Sequence, residues 1–341
     1  MYDYVIITHI PAFYKVNLYN ALAKKLNVYV IFIAANTREK RAEDFAMLHE
    51  TNFKYDILFD GNFQDREIKK TLFKLRNILK TLQYQKLLVS GWDLKEFWYL
   101  VFFNPKAKNC LALESTILES NIKGIKRFLK KIFLSRIATV FASGSLHEKL
   151  LIALHYRGMI QITHGVGIIN KPEFEKSMRT YQKRFLYIGR LSYVKNLKFL
   201  IEIFNTLPEY TLTIIGEGEE KEALQRVSKS NIVFRDPIAN SALKETFLEE
   251  DILILPSIIE PWGLVVEEAL YFGVPIIVSR HCGVSELIEN GVNGYVIHPA
   301  DVPSLRNIIL QIDAEVYNHL VTGVNMFSID KKDTMQIESY L

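Results

Sequence analysis

The chain has 341 residues, 49% of them hydrophobic and 23% charged, a composition that fits a soluble globular protein of about two domains and excludes disordered, collagen-like and low-complexity chains. Its two cysteines, Cys110 and Cys282, exclude a disulfide scaffold and a four-cysteine zinc site, and imply a reducing, cytoplasmic home. The net charge of +4 divides unevenly: residues 1–170 carry 25 Lys and Arg against 14 Asp and Glu, a net of +11, whereas residues 171–341 carry 17 against 24, a net of −7.

The N-terminal MYDYVIITHI has Asp3 and no basic residue ahead of its apolar run, so it reads as a first strand, Tyr4 to Thr8, and not as a secretion signal. Further apolar runs predict strands at Val28–Ile33, Leu87–Ser90, Cys110–Leu113 and Thr139–Ala142, with helices near 14–26, 65–83, 94–103 and 121–136. The second half repeats the pattern. Its strands are Phe185–Gly189, Thr211–Gly216, Ile232–Phe234, Ile252–Leu255 and Ile276–Ser279, alternating with helices near 195–206, 219–229, 240–249, 264–272 and 283–289. Strand–helix alternation of this kind builds parallel sheets, so two doubly wound α/β domains are expected. Gly165, Gly167, Asn170 and Pro172 punctuate the join. The expected domains are therefore 1–165 and 185–313, with a linker over 166–184 and closing helices over 314–341 that would cross back to the first domain. The longest stretch without Asp, Glu, Lys or Arg, Val316 to Ile329, has 14 residues, short of the 18 or more apolar residues of a membrane-spanning helix.

The segment LPSIIEPWGLVVEEALYFG, Leu255 to Gly273, carries the most chemistry. A buried strand ends at Pro256, a loop runs through Glu260, Pro261, Trp262 and Gly263, and an amphipathic helix follows until Gly273. In a doubly wound sheet the ligand crevice lies at the carboxyl ends of the strands, where this loop must sit. The first turn of the helix, at Leu264 and Val265, offers unpaired N–H groups and the positive end of a dipole, and Gly263 lets a phosphate approach closely. Glu268 lies one turn on, placed to accept hydrogen bonds from a ribose diol.

GRLSYVKN, Gly189 to Asn196, ends the first strand of the second half. There Arg190 offers a forked donor and Lys195 a point charge, both suited to neutralising a leaving diphosphate. No Asp/Glu/His cluster suggests a magnesium cage, and a strand-end Asp-x-Asp is missing, so these charges take the place of a metal and no metal site is expected. IIGEGEE, Ile214 to Glu220, places Gly216 and Gly218 in a strand-to-helix turn, which suits either a nucleotide or merely a tight connection. Taken singly, each motif also reads as surface charge or turn chemistry; their convergence on successive strand ends is what anion sites require.

Residues 185–300 resemble the nucleotide-sugar domain of the retaining glycosyltransferases of family 4, on the strength of GRLSYVKN, IIGEG, EEDILILPS, the Glu260 and Glu268 pair within EPWGLVVEEAL, and GVPIIVSRHCGVSELIENGVNG. The resemblance implies the GT-B fold, two facing Rossmann-like domains with the active site in the interdomain cleft, of the type found in bacterial glycan, lipopolysaccharide or capsule synthesis. It also implies that Arg190 and Lys195 hold the donor diphosphate, that Glu268 binds the ribose, that Glu260 contacts the donor sugar, and that the backbone at Gly263, Leu264 and Val265 receives the distal phosphate. The donor would be a UDP-sugar or a GDP-sugar, with UDP favoured, and no cofactor is required. Two departures stand out. FRDPI places Asp236 and Pro237 where many relatives have glycine, altering the wall that meets the base, and HCGVSEL has Cys282 in place of the first of two glycines, leaving Gly283 to make the turn.

Many relatives carry a histidine on a strand end of the first domain. Here the corresponding strand, NCLAL, ends in Glu114, Ser115 and Thr116. The Glu114 carboxylate could orient an acceptor hydroxyl or take its proton, or it could serve as a structural acceptor for backbone N–H groups. His9 and His164 are the alternatives. Residues 121–136, NIKGIKRFLKKIFLSR, hold six basic residues and no acid, with apolar residues at helical spacing, and 66–86 repeats the theme. Either these stripes pack on the first sheet or the helices dock on an anionic membrane surface. The expected protein is a cytoplasmic glycosyltransferase, peripheral on the inner face of the membrane, that acts with retention on a lipid-linked oligosaccharide or lipopolysaccharide. The alternatives are a GT-B transferase with a soluble small-molecule or protein acceptor and an inactive nucleotide-sugar binding protein. Nucleic acid is not an expected partner, since no helix-turn-helix, zinc or stacking motif accompanies the basic charge.

Overall fold

The computed structural model describes residues 1–39, 44–46, 48, 51–175 and 179–341; positions 176–178 of the expected linker lie outside the described residues. The chain divides into two compact units, Met1–Ile168 with Lys332–Leu341, and Ile169–Lys331.

The first unit runs β1 (Tyr2–Thr8), α1 (Phe13–Ala23), β2 (Val28–Phe32), β3 (Lys54–Ile57), α2 (Ile68–Thr81), β4 (Tyr84–Val89), α3 (Lys95–Phe103), β5 (Asn109–Leu113), α4 (Gly124–Ser135), β6 (Thr139–Ala142), α5 (Ser145–Ala153) and β7 (Met159–Ile162). The strands form one parallel sheet in the order β3-β2-β1-β4-β5-β6-β7. Successive side chains of a strand point to opposite faces, and β1 shows both faces buried. Val5 and Ile7 join one core with Leu87, Phe97 and Phe133, while Tyr4 and Ile6 join the other with Leu18, Tyr19 and Phe141. Part of the second core comes from the far end of the chain: Tyr340 stacks on Phe141 with ring centroids 4.3 Å apart, and the Tyr4 hydroxyl donates to the Tyr340 carbonyl at 3.0 Å.

The second unit runs β8 (Arg184–Ile188), α6 (Leu197–Phe204), β9 (Thr211–Ile215), α7 (Lys221–Val227), β10 (Ile232–Arg235), α8 (Leu243–Glu249), β11 (Ile252–Leu255), α9 (Leu264–Tyr271), β12 (Ile276–Ser279), β13 (Gly294–Ile297), α10 (Val302–Gln311) and α11 (Ala314–Met326), and α12 (Ile329–Glu338) leads back into the first unit. Its sheet is also parallel, in the order β10-β9-β8-β11-β12-β13. In both sheets the chain moves outward from the middle in one direction and then returns to move outward in the other. The reversals fall between β1 and β4 in the first unit and between β8 and β11 in the second, which places a crevice at the carboxyl ends of those strands.

Two doubly wound parallel sheets were expected, and both are present. The sequence reading passed over β3, β7 and β13, three edge strands, and helices α5 and α10. The helix expected at 283–289 is a single 3₁₀ turn, Gly283–Leu287, since Asn290 and Gly291 redirect the chain into β13.

Candidate functional site

In the second unit the loops after β8 and β11 meet at the reversal point. After β8 the backbone turns at Gly189, passes Arg190, and closes a 3₁₀ turn over Tyr193–Lys195, so that Lys195 stands just before α6 and not on it. Asn196 ends the turn in the left-handed region, and its amide donates to the carbonyls of Pro256 at 3.1 Å and Pro299 at 2.7 Å. The β11 loop is tied in by Ile258 N–H donating to Val194 at 2.8 Å. This lacing brings Lys195 to Glu260, and the two form an ion pair with side chains only 17% and 15% exposed. Glu260 is held from the other side: its N–H donates to the His281 carbonyl, and its own carbonyl accepts from Gly283 N–H at 3.0 Å.

Gly263 precedes α9 with φ +111°, and a Cβ there would lie 2.9 Å from the Leu255 side chain, so glycine is needed for conformation and for packing. The first turn of α9 then starts at Leu264 and Val265, whose N–H groups have no partner within the helix. Glu268 is buried on α9, and the neighbouring Glu267 accepts from the Trp262 indole at 2.5 Å, which anchors the EPWG loop to the helix. Gly283 fits against Pro261, where a Cβ would come within 2.1 Å of the carbonyl oxygen. Cys282, fully buried, has its thiol pushed well up by burial and by the Glu260 charge, with Lys195 opposing. Arg190 is exposed at the mouth of the loop, and its carbonyl accepts from the buried Tyr187 hydroxyl at 2.9 Å.

Gly216 and Gly218 are explained by the chain itself. A Cβ at Gly216 would lie 1.9 Å from the Gly189 carbonyl oxygen, and one at Gly218 would lie 2.2 Å from that of Leu191. The β9 turn therefore packs directly under the Arg190 loop and fixes it through hydrogen bonds between Leu191 N–H and Glu217 O at 2.8 Å and between Glu220 N–H and Leu191 O at 3.1 Å. The same turn lets Lys221 pair with Glu217 at 2.5 Å and with Asp236 at 2.7 Å, so the departure at FRDPI is part of a local charge cluster. That pairing raises the Lys221 ammonium pKa and lowers the Asp236 carboxyl pKa.

In the first unit Glu114 follows β5 and forms an ion pair with Lys15 of α1, which is 8% exposed at its side chain. Burial works against the Lys15 charge, but Glu114 more than offsets it, and the ammonium pKa is raised. His9, after β1, pairs with Asp93, after β4, at 2.8 Å. Burial raises the Asp93 carboxyl, and the hydrogen bond and charge of His9 overcome this to leave it below its ordinary value. Glu114 and His9 line one cavity of about 330 Å³, whereas His164, in the loop after β7 with φ +50°, does not line it. Neither Lys15 nor Asp93 was singled out from the sequence. Partners 99 and 84 residues apart leave no spacing signal, and only the fact that β1, β4 and β5 are neighbours in the sheet predicts such meetings.

Two doubly wound parallel units of this design define the GT-B fold of glycosyltransferases. Residues 170–314 match the family model of glycosyl transferases group 1. A glycosyltransferase of Haemophilus influenzae, itself uncharacterised, is 26% identical over 311 residues, covering 85% of this chain and 83% of that one. Other curated relatives match only in part, with alignments spanning between 24% and 47% of their length. Among solved structures, the lipopolysaccharide outer core galactosyltransferase WaaB in its apo form superposes with a TM-score of 0.68 at 18% identity, over 99% of each chain. HepE of Anabaena in complex with UDP superposes with a TM-score of 0.72 at 14% identity, over 97% of each.

Proposed function

We propose that the chain is a metal-independent retaining glycosyltransferase that moves a sugar from a nucleoside-diphosphate sugar, UDP-sugar in preference to GDP-sugar, to a hydroxyl of a glycan. The observation that carries this reading is the Lys195–Glu260 pair at the β8/β11 reversal, beside the start of α9 and the Arg190 loop. In this reading Arg190, Lys195 and the N–H groups at Gly263, Leu264 and Val265 take the diphosphate, Glu268 takes the ribose diol, and Gly216 and Gly218 hold the Arg190 loop in place. A diphosphate competes with Glu260 for the Lys195 ammonium, and its arrival frees the Glu260 carboxylate for the hydroxyls of the donor sugar. Charge leaving on the diphosphate is then met by fixed cations and backbone dipoles, the largest electrostatic contribution to such a transfer. The UDP bound to HepE, whose fold this chain shares, supports the preference for uridine.

In the first unit Glu114, paired with Lys15, orients the acceptor hydroxyl. A lipid-linked oligosaccharide or lipopolysaccharide acceptor fits the outer surface of the same unit. Helix α4 leaves Ile125 77%, Phe128 62% and Leu129 44% exposed, beside the exposed Lys123, Lys126 and Lys131. An apolar and basic face of this composition suits an anionic bilayer and peripheral attachment at the cytoplasmic membrane. The 66–86 region contributes less than its composition suggests. Arg66 forks onto the buried Glu96, Lys74 donates to Leu58 O at 2.8 Å, Lys86 donates to the Tyr4 hydroxyl at 3.0 Å and Lys70 pairs with Glu67 at 2.7 Å, leaving Lys69, Arg76 and Lys80 for the surface. Thermal-shift screening against UDP, GDP and their sugars tests the donor reading: stabilisation by UDP and UDP-sugars supports it, and indifference to every nucleotide refutes it.

A further inference from the structure

We propose that the cavity at the β1/β4 reversal is the acceptor's sugar subsite and that it takes a neutral, hydroxyl-rich ring in preference to a phosphorylated or otherwise anionic one. The proposal rests on the glycosyltransferase reading and names the chemistry of the group that reading leaves open.

The cavity, about 330 Å³, falls within the range of ligand pockets and has room for a sugar ring. Its polar groups are spent in a way that leaves acceptors outward. Glu114 is ion-paired with Lys15, and a carboxylate accepts hydrogen bonds; its side chain stays 34% exposed while the Lys15 ammonium, 8% exposed, is turned onto it. Asp93, with its carboxyl pKa lowered, receives its hydrogen bond from His9 Nε2 at 2.8 Å. The Asp93 carboxylate is itself 57% exposed. The three carboxylates of the lining thus present hydrogen-bond acceptors to the several O–H donors of a sugar, and their charge disfavours a phosphate.

Charge points the same way. Glu39, Asp93 and Glu114 line the cavity against Lys15, and carboxylates still outnumber cations if His9 is protonated. Among the described residues, the guanidiniums of Arg66 and Arg38 are already engaged, Arg66 held bidentately by Glu96 at 2.8 and 3.2 Å and Arg38 paired with Asp65. The excess of basic residues in this half therefore lies outside its cavity, and an anionic surface and a neutral sugar are served by different faces. Tyr14, Phe45 and Phe63 supply apolar walls on which the C–H face of a ring can lie, with Tyr14 and Phe45 centroids 6.2 Å apart and Phe63 5.4 Å from the His9 ring. Ser90, 8% exposed, adds a hydroxyl to the cavity wall.

Saturation-transfer NMR on the full chain, with methyl glucoside, methyl galactoside, glucose 6-phosphate and methyl glucuronide as probes, reads the preference directly. At least one neutral glycoside is expected to bind tenfold or more tightly than either anionic probe, and Glu39→Gln with Asp93→Asn is expected to narrow that gap. Glu39 is exposed, so Glu39→Gln alone keeps the test readable if Asp93→Asn lowers stability. Equal or tighter binding of the anionic probes, no binding of either neutral glycoside, or a gap untouched by both substitutions overturns the proposal. UDP stabilisation measured on the same samples separates this failure from failure of the donor reading, since the two substitutions lie in the first unit and the donor residues in the second.

Discussion

Replacing Glu260 by Gln separates its two duties and has an expected sign that is easy to miss. The Lys195–Glu260 pair must open before the ammonium can serve a diphosphate. A hydrogen bond to a charged group contributes about 1.5–3 kcal/mol, and the partial exposure of both side chains, 17% and 15%, brings the cost of opening to about 1 kcal/mol. Glu260→Gln removes that competition together with a negative charge near the phosphates, so UDP is expected to bind roughly fivefold more tightly, since about 1.4 kcal/mol corresponds to tenfold. Sugar transfer is expected to fall steeply in the same variant, because the carboxylate that meets the donor sugar is gone. Lys195→Met has the opposite effect on binding, with a loss of roughly tenfold or more. Isothermal titration with UDP alongside a transfer assay reads both effects. Weaker UDP binding by Glu260→Gln, or unchanged binding by Lys195→Met, refutes the competition.

Gly218→Ala forces a Cβ to within 2.2 Å of the Leu191 carbonyl oxygen and is expected to lower stability by about 1–3 kcal/mol in thermal or urea unfolding; a wild-type melting temperature would show that the Arg190 loop is not held as described. Serine at Ile125, Phe128 and Leu129 together is expected to abolish flotation with vesicles containing anionic lipid while shifting the melting temperature little, because these side chains are already largely exposed, and retained flotation argues against α4 as the contact. Asp93 has a folded-state pKa below its ordinary 3.8, so its contribution to stability is present above that value and is lost as the pH falls through the lowered one. The difference in melting temperature between wild type and Asp93→Asn is therefore expected to shrink below about pH 3.8, and a constant difference down to pH 2 contradicts the His9 pairing.

The central strands were legible because both of their faces are buried, which writes near-continuous Val, Ile and Leu into them, as in VYVIF for β2 and ILIL for β11. Edge strands write less. β3, KYDI, is mostly exposed and carries two charges, β7, MIQI, is only partly covered, and β13 opens on a glycine, so none has the pattern of a buried strand. The residues proposed for the donor were readable as motifs because they cluster in, or directly after, short loops between a strong strand and a helix. The reason for a residue was harder to read than its presence. Gly216 and Gly218 stand where expected, yet their missing side chains make room for the 189–191 backbone. Glu260 and Lys195 were each assigned to a ligand, and only the tertiary lacing through Asn196 and Ile258 shows that they hold each other. In the first unit Lys15 was one lysine among many until the β5 end brought Glu114 to it.

Calorimetric titration of UDP into the wild-type chain and into an Arg190→Ala, Lys195→Ala double variant bears most directly on the donor site in the second unit. Saturable binding by the wild type and a loss of at least a hundredfold in the variant are expected, since two charge-assisted contacts of about 1.5–3 kcal/mol each are removed. Equal affinity in the two proteins, or no heat of binding from the wild type with UDP or any UDP-sugar, contradicts the assignment of a diphosphate to Arg190, Lys195 and the start of α9.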